Sequence, residues 1–272
     1  MPVAPLTSVA DVRTALTAND YLADDGLATA VFLALSLRRP LLLEGEAGVG
    51  KTELAKVIAK VTGGELIRLQ CYEGIDASQA VYDWDYSRQL LHLRAAEATG
   101  ESRTKDTTSL ESELYHERFL IKRALLRALD ARTTSPVLLI DEIDRADDEF
   151  EAYLLEILSD FQVTIPEIGT VRAARPPVVI LTSNRTREVH DALKRRCLFH
   201  WIDYPDPEKE IAIVLARLPG IPERLARQVV AFVARLRTAD LTKLPGVAET
   251  LDWAAALVAL GAPALTPEVV DP

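Results

Sequence analysis

Gly45-Glu46-Ala47-Gly48-Val49-Gly50-Lys51-Thr52 is the stretch whose reading decides the fold, because it satisfies the full GxxxxGK[ST] spacing between an apolar run and an amphipathic one. Pro40-Leu41-Leu42-Leu43 before it reads as a short buried strand. Glu53 to Val61 after it sets Leu54, Val57, Ile58 and Val61 on one helical face. Strand, glycine loop and helix in that order form a phosphate cradle. The glycines let successive N–H groups turn inward, and the helix N-terminus adds partial positive charge. In such a cradle Lys51 reaches the β- and γ-phosphates, and the Thr52 hydroxyl ligates Mg²⁺. A plain glycine turn is the competing reading of the same residues.

Two further apolar runs end in groups suited to the same chemistry. Val137-Leu138-Leu139-Ile140 reads as a buried strand that delivers Asp141-Glu142 at its carboxyl end, where open parallel sheets bind their ligands. Asp141 is expected to hold Mg²⁺, through water, and Glu142 to polarise the attacking water as a general base. Val178 to Thr182 reads as another buried strand, followed by Ser183-Asn184. The Asn184 amide both donates and accepts, which suits orienting a water against a γ-phosphate oxygen. Downstream, Arg195-Arg196 precedes the strand-like Phe199-His200-Trp201-Ile202. One of these guanidinium groups is expected to project into the nucleotide site of a neighbouring subunit, a contact worth about 10³–10⁵ in rate. A pair of solvated surface arginines is the alternative.

In this order the four elements resemble the AAA+ ATPases, and their details resemble the MoxR branch, from about Ser8 to Val270. The wording Ile140-Asp141-Glu142-Ile143-Asp144-Arg145-Ala146-Asp147, then Phe161-Gln162-Val163-Thr164-Ile165-Pro166-Glu167, then Thr182-Ser183-Asn184-Arg185-Thr186-Arg187 is similar to the CoxD-type ATPases encoded beside carbon monoxide dehydrogenase genes. The resemblance implies an α/β fold, a P-loop NTPase parallel-sheet core with helices on both faces, followed by a small α-helical lid. It implies ATP and Mg²⁺ as ligands, a hexameric homo-oligomeric ring, a partner carrying a von Willebrand A domain, and a client metalloenzyme. By resemblance the trans finger is Arg196, with Arg195 as the fallback, and Leu22 and Ala23 are candidate contacts to the adenine. Two departures stand out. Gly246-Val247-Ala248-Glu249-Thr250 places Thr250 where relatives carry a second sensor arginine, so a γ-phosphate contact is expected to be missing. The tail from Pro263 to Pro272 stops where similar chains run on, so the lid is expected to be short or truncated.

With 272 residues, 49% of them apolar, the chain can bury the core of one large α/β domain and a small second one. The prolines of Tyr204-Pro205-Asp206-Pro207 mark the expected boundary, dividing 1–205 from 206–272. Helical stretches follow at Glu208 to Leu218, Glu223 to Thr238 and Val247 to Leu260. No run approaches the ~20 apolar residues of a membrane span, and no signal pattern opens the chain, so cytoplasmic residence is expected. Cys71, Cys197 and the four histidines form no ligand cluster, so neither disulfide nor zinc is indicated.

Several segments carry expectations of their own. Asp25 to Leu37 reads as the first long helix, and Glu65 to Leu69 as the second sheet strand. Tyr72 to Tyr86 holds three of the seven tyrosines and Trp84. By resemblance an insertion hairpin near 72–86 faces the ring opening and could grip a partner; a locally packed aromatic cluster is the alternative. Ala98 to Ser112 lacks an apolar period and is expected to be a mobile loop. Asp148 to Phe161 reads as an amphipathic helix with Phe150, Leu154, Ile157, Leu158 and Phe161 inward, and a second hairpin is expected over 161–172.

Three functions compete. The first is a ring ATPase that remodels or matures another protein, by resemblance a molybdenum-containing dehydrogenase. The second is a nucleotide-gated switch or scaffold with slow hydrolysis, which Thr250 favours. The third is a DNA-directed ATPase, against which the net charge of −10 argues, since gripping phosphates needs concentrated Lys and Arg. The basic runs Arg118 to Arg132 and Arg185 to Arg196 read more simply as helix faces and phosphate-facing or intersubunit groups.

Overall fold

Three consecutive leucines begin the first strand of the sheet, and their alternation sorts the molecule into layers. The computed structural model describes residues 6–99 and 112–265. Strand β1 is Leu41–Gly45, β2 Leu66–Gln70, β5 Val137–Asp141, β8 Val178–Ser183 and β9 Leu198–Ile202. They form one five-stranded sheet in the order β2-β5-β8-β1-β9, with every pairing parallel. Successive side chains of a strand point to opposite faces. Leu41, Leu43, Val137, Leu139 and Ile180 therefore share one apolar layer with helices α1 (Val9–Thr17), α2 (Asp25–Leu37) and α3 (Lys51–Thr62). Leu42, Leu138, Ile140, Val179 and Leu181 point the other way, onto α6 (Ala124–Leu129), α7 (Asp148–Asp160) and α8 (Asp191–Arg196). Burial on both faces explains why β1 and β5 read as unbroken apolar runs.

The helix starts follow local capping chemistry. Ser8, Asp24, Asp147 and Asp206 each accept a backbone N–H of the first turn of the helix they precede. Of these helices, α1 carries no sequence expectation, since only nine residues make its apolar stripe. The amphipathic helix ends at Asp160 rather than Phe161. Phe161 adopts a left-handed φ of 49° as its C-cap and turns the chain into β6 (Gln162–Ile165), which pairs antiparallel with β7 (Gly169–Arg172) as the expected second hairpin.

The first hairpin is different. Residues 72–86 do not fold back on themselves: α4 (Ala77–Ala80) leads into β3 (Tyr82–Trp84), which pairs with β4 (Leu120–Lys122) across α5 (Tyr86–Thr99) and the segment beyond it. The physical reason is burial of Trp84, whose ring packs edge-on against Tyr82 and Tyr115 at centroid distances of 6.4 and 5.2 Å. The packed aromatic cluster thus describes Trp84, while Tyr72 and Tyr86 stay exposed. The expected mobile loop from Ala98 to Ser112 lies mostly outside the described residues, as does the end of the tail over 266–272.

Helices α9 (Pro207–Arg217), α10 (Glu223–Arg237) and α11 (Val247–Ala259) enclose a separate apolar cluster built on Val214, Leu225, Val229 and Ala254. No helix among the described residues is long and apolar enough to cross a membrane. Cys71 and Cys197 are free and buried, and burial pushes each thiol up to about 12.

Candidate functional site

The sheet order puts the carboxyl ends of β5, β8 and β1 side by side, so the loops after them converge. A cavity of about 910 Å³ opens there. Its floor is the loop Ala47 to Thr52 with Asp141, Glu142, Thr182 and Asn184. Its far wall is the apolar underside of the three-helix unit, including Ile213, Leu218, Val247, Leu251 and Ala255. A volume of this size suits a nucleotide-sized ligand.

The glycine loop is shaped as the spacing requires. Gly48 and Gly50 have φ of 77° and 98°, where a side chain would be strained. A Cβ on Gly45 would sit 2.2 Å from the Ile202 carbonyl oxygen. Lys51 is buried, and its Nζ donates to the carbonyls of Gly45 and Glu46 at 2.7 and 2.6 Å. Burial pushes its pKa down to about 8, against the pull of Asp144, Glu46, Asp141 and Glu142. Gly45 and Glu46 thus serve through their carbonyls and do not line the cavity, whereas Ala47, Gly48, Val49, Gly50 and Lys51 do.

Asp141 is the most heavily bonded group of the site. Its Oδ1 accepts from Thr52 Oγ1 at 3.0 Å and Thr182 Oγ1 at 2.6 Å. Its Oδ2 accepts from Arg68 Nε and Nη2 at 2.9 and 2.6 Å. A hydroxyl and a carboxylate oxygen facing one another fit Mg²⁺, which prefers hard oxygens and takes few of its ligands from protein. Thr52 and Asp141 are the residues that would hold it. Glu142 has a left-handed φ of 56°; its N–H donates to Thr182 Oγ1 at 2.9 Å. Its carboxylate is held by Gln70 Nε2 at 3.0 Å and Arg145 Nε at 3.1 Å. A carboxylate gripped this way must exchange partners before it can take a proton from a water.

The remaining expected residues are placed unequally. Asn184 lines the cavity at the end of β8, and Leu22 lines its rim. Ala23 does not; it packs against the core on the α1 side, and Tyr21 and Asp24 line the cavity in its place. The Tyr21 phenol is buried against the loop, with its OH 3.4 Å from the Gly50 carbonyl, and burial raises its pKa. Arg195 and Arg196 are exposed on α8, outside the chain's own cavity, and Arg196 bonds Ser159. Their carbonyls accept from Arg39.

Thr250 faces away from the cavity. It is fully buried and donates to Glu210 Oε1 at 2.7 Å and the Gly246 carbonyl at 3.1 Å. Glu210 in turn holds both Nη atoms of Arg237 at 2.6 and 2.8 Å, and that guanidinium lies over the Tyr204 ring. Helix α11 touches the glycine loop through its backbone: Ala248 N–H donates to the Gly48 carbonyl at 3.1 Å. Two rim ion pairs, Lys209 with Asp24 and Arg217 with Glu53, also bridge the three-helix unit to the sheet side.

Sequence reasoning missed Arg68, Gln70, Thr182, Tyr21 and the Ala248 contact. A signal existed for two of them: Arg68 and Gln70 alternate with the buried Ile67 and Leu69, marking a polar face on a sheet strand.

Residues 40–197, more than half of the chain and all of the elements that converge on the cavity floor, match the AAA domain (dynein-related subfamily). The chain belongs to the AAA family. Its P-loop NTPase fold is shared with a candidate ATPase of Cytophaga hutchinsonii, at 15% identity and a TM-score of 0.52, covering 92% of this chain and 64% of that one. It is shared too with the RuvB Holliday junction branch migration motor of Thermotoga maritima, at 16% identity and a TM-score of 0.50, covering 90% and 64%. At such identities the likeness establishes the fold, and this AAA chain spans just under two thirds of the length of each. An uncharacterized protein of Staphylococcus epidermidis is 26% identical over 231 residues, which cover 82% of this chain and 77% of that protein. Midasin of Giardia intestinalis is 47% identical over 45 residues, 16% of this chain and 1% of Midasin.

Proposed function

We propose that this AAA-family chain binds ATP with Mg²⁺ in the cavity and hydrolyses it. The observation that carries the reading is the convergence of three groups: Lys51 in its glycine loop, Thr52 bonded to Asp141 at 3.0 Å, and Glu142 at the next position. The loop amides and Lys51 bind the phosphates, Thr52 and Asp141 hold the metal, and Glu142, once released by Gln70 and Arg145, takes the proton of the attacking water. Mg²⁺, when bound, offsets charge on the phosphate oxygens. Asn184 orients that water from the adjacent strand.

The chain works as a homo-oligomeric, hexameric ring with Arg196, or Arg195, supplied in trans; their position outside the chain's own cavity supports this. The wording of the motifs supports a MoxR-type chaperone that acts with a von Willebrand A domain partner on a client metalloenzyme, a molybdenum dehydrogenase. A second reading, a nucleotide-gated switch with slow hydrolysis, is favoured by Thr250, whose hydroxyl is committed to Glu210. Glu142→Gln should bind a fluorescent ATP analogue like wild type and lose turnover by about 10²–10⁴-fold. Normal turnover in that variant would contradict the assignment.

A further inference from the structure

Two segments flagged by their sequence wording, the acidic turn after β5 and the loop after β8, meet in the fold through contacts that the proposed chemistry does not use. Asp144 is 3% exposed, three residues beyond Asp141. Its Oδ2 accepts the Thr186 N–H at 2.9 Å and the Thr186 hydroxyl at 2.7 Å. Its Oδ1 is buried and has no hydrogen-bond partner among the described residues. Glu151, on α7, is 0% exposed. It accepts His190 N–H at 2.7 Å and bonds Arg187, which also donates to the Ala146 carbonyl at 2.5 Å and to Asp148 at 2.8 Å. The segment 184–190 is therefore gripped at residues 186, 187 and 190 by two buried carboxylates.

We propose that Asp144 and Glu151 are positioning residues, a bracket that holds Asn184 at a set distance from Asp141 and Glu142. Neither carboxylate lines the cavity; Glu151 acts through the loop it holds, and Asp144 does so in addition to its pull on the Lys51 ammonium. Burying a carboxylate strips it of water at a cost its partners must offset, and apolar residues would close the same contact with less penalty. What the carboxylates provide instead is direction. The loop needs it, because Arg185 beside Asn184 stands at φ 58°, a strained left-handed conformation that relaxes unless its surroundings hold it. A displacement of about 1 Å at a positioning group lowers turnover by about 10²-fold.

The inference rests on the ATPase reading, and its test separates the two. Asp144→Asn, Glu151→Gln and the charge-neutral pair Glu151→Gln with Arg187→Gln are made in the full chain, each with and without Asn184→Ala. In the wild-type background, kcat should fall about 10–100-fold while KM changes less than about threefold. In the Asn184→Ala background the Glu151 changes should cost little further, because the group they position is gone, whereas Asp144→Asn should keep only the part of its loss that comes from its pull on Lys51. Amide exchange at residues 186 and 190 should quicken in all three. Equal losses of the Glu151 variants in both backgrounds, or an unchanged kcat in folded protein, would overturn the proposal. If wild-type chain shows no turnover, the ATPase reading fails, and exchange alone decides the bracket: unchanged protection at 186 and 190 removes it.

Discussion

Gly246→Ala drives a wedge between the three-helix unit and the phosphate loop. The glycine has φ −85° and ψ −175°, extended backbone that any residue adopts, so the substitution carries no backbone strain. The added Cβ, however, would lie 2.5 Å from the Ala47 carbonyl oxygen, 2.8 Å from Gly48 Cα and 3.0 Å from Glu249 Oε2. Ordinary contact begins near 3.4 Å, so the start of α11 must withdraw by about 0.9 Å. The first two obstacles are backbone, and the loop that carries them cannot yield freely, since Gly45 behind it already abuts Ile202. Withdrawal stretches the Ala248 to Gly48 hydrogen bond, 3.1 Å at rest, beyond bonding range. Losing it costs about 0.5–1.5 kcal/mol and the steric misfit about 1–3 kcal/mol, a mid-range sum of about 2–4 kcal/mol or roughly 30- to 800-fold in the seating equilibrium constant. Titration with a fluorescent ATP analogue should show affinity weakened by at least about tenfold, with protection of the Ala248 amide lost and the thermal melting of the sheet core nearly unchanged. Wild-type affinity together with wild-type protection at Ala248 would refute the seating of α11 on the loop.

Two other outcomes follow from the site. Lys51 titrates near 8 in the nucleotide-free chain, below the 10.5 of an unfolded lysine, so it is charged at neutral pH and loses its proton as pH rises through about 8. Phosphate binding prefers the charged form, so nucleotide affinity should be level below about pH 7.5 and weaken above 8 by up to about tenfold per unit; a pH series of titrations without that bend would be inconsistent with the placement of Lys51. Stability of the free chain has the opposite sign: between about 8 and 10.5 the unfolded state binds more protons, so this group's burial penalty lessens as pH rises. Thr250→Val removes a donor from the buried Glu210 and should lower unfolding stability by about 1–3 kcal/mol in denaturant titration, leaving nucleotide affinity within about threefold. A tenfold loss of affinity at unchanged stability would instead make Thr250 a nucleotide contact.

The strands at 41–45, 137–141 and 178–183 and the glycine loop were legible in the chain because each is a contiguous pattern: a parallel strand covered on both faces is an apolar run, and a phosphate loop is eight successive residues. The same local logic singled out Asp141, Glu142 and Asn184, which simply follow those runs and line the cavity. Arg68 and Thr182 became partners of Asp141 only because β2 and β8 flank β5, an adjacency set by sheet order and register across 73 and 41 positions of chain. The pairing of Tyr82 with Lys122 escaped for the same reason, and a turn within 72–86 was expected instead. Thr250 marked a missing arginine in the sequence; that its hydroxyl turns inward to Glu210, and that a backbone N–H meets the glycine loop, depends on how three helices pack. Periodicity reports how a backbone lies relative to its own neighbours, whereas a bond between distant residues depends on the arrangement that minimises exposed apolar area over the whole chain at once.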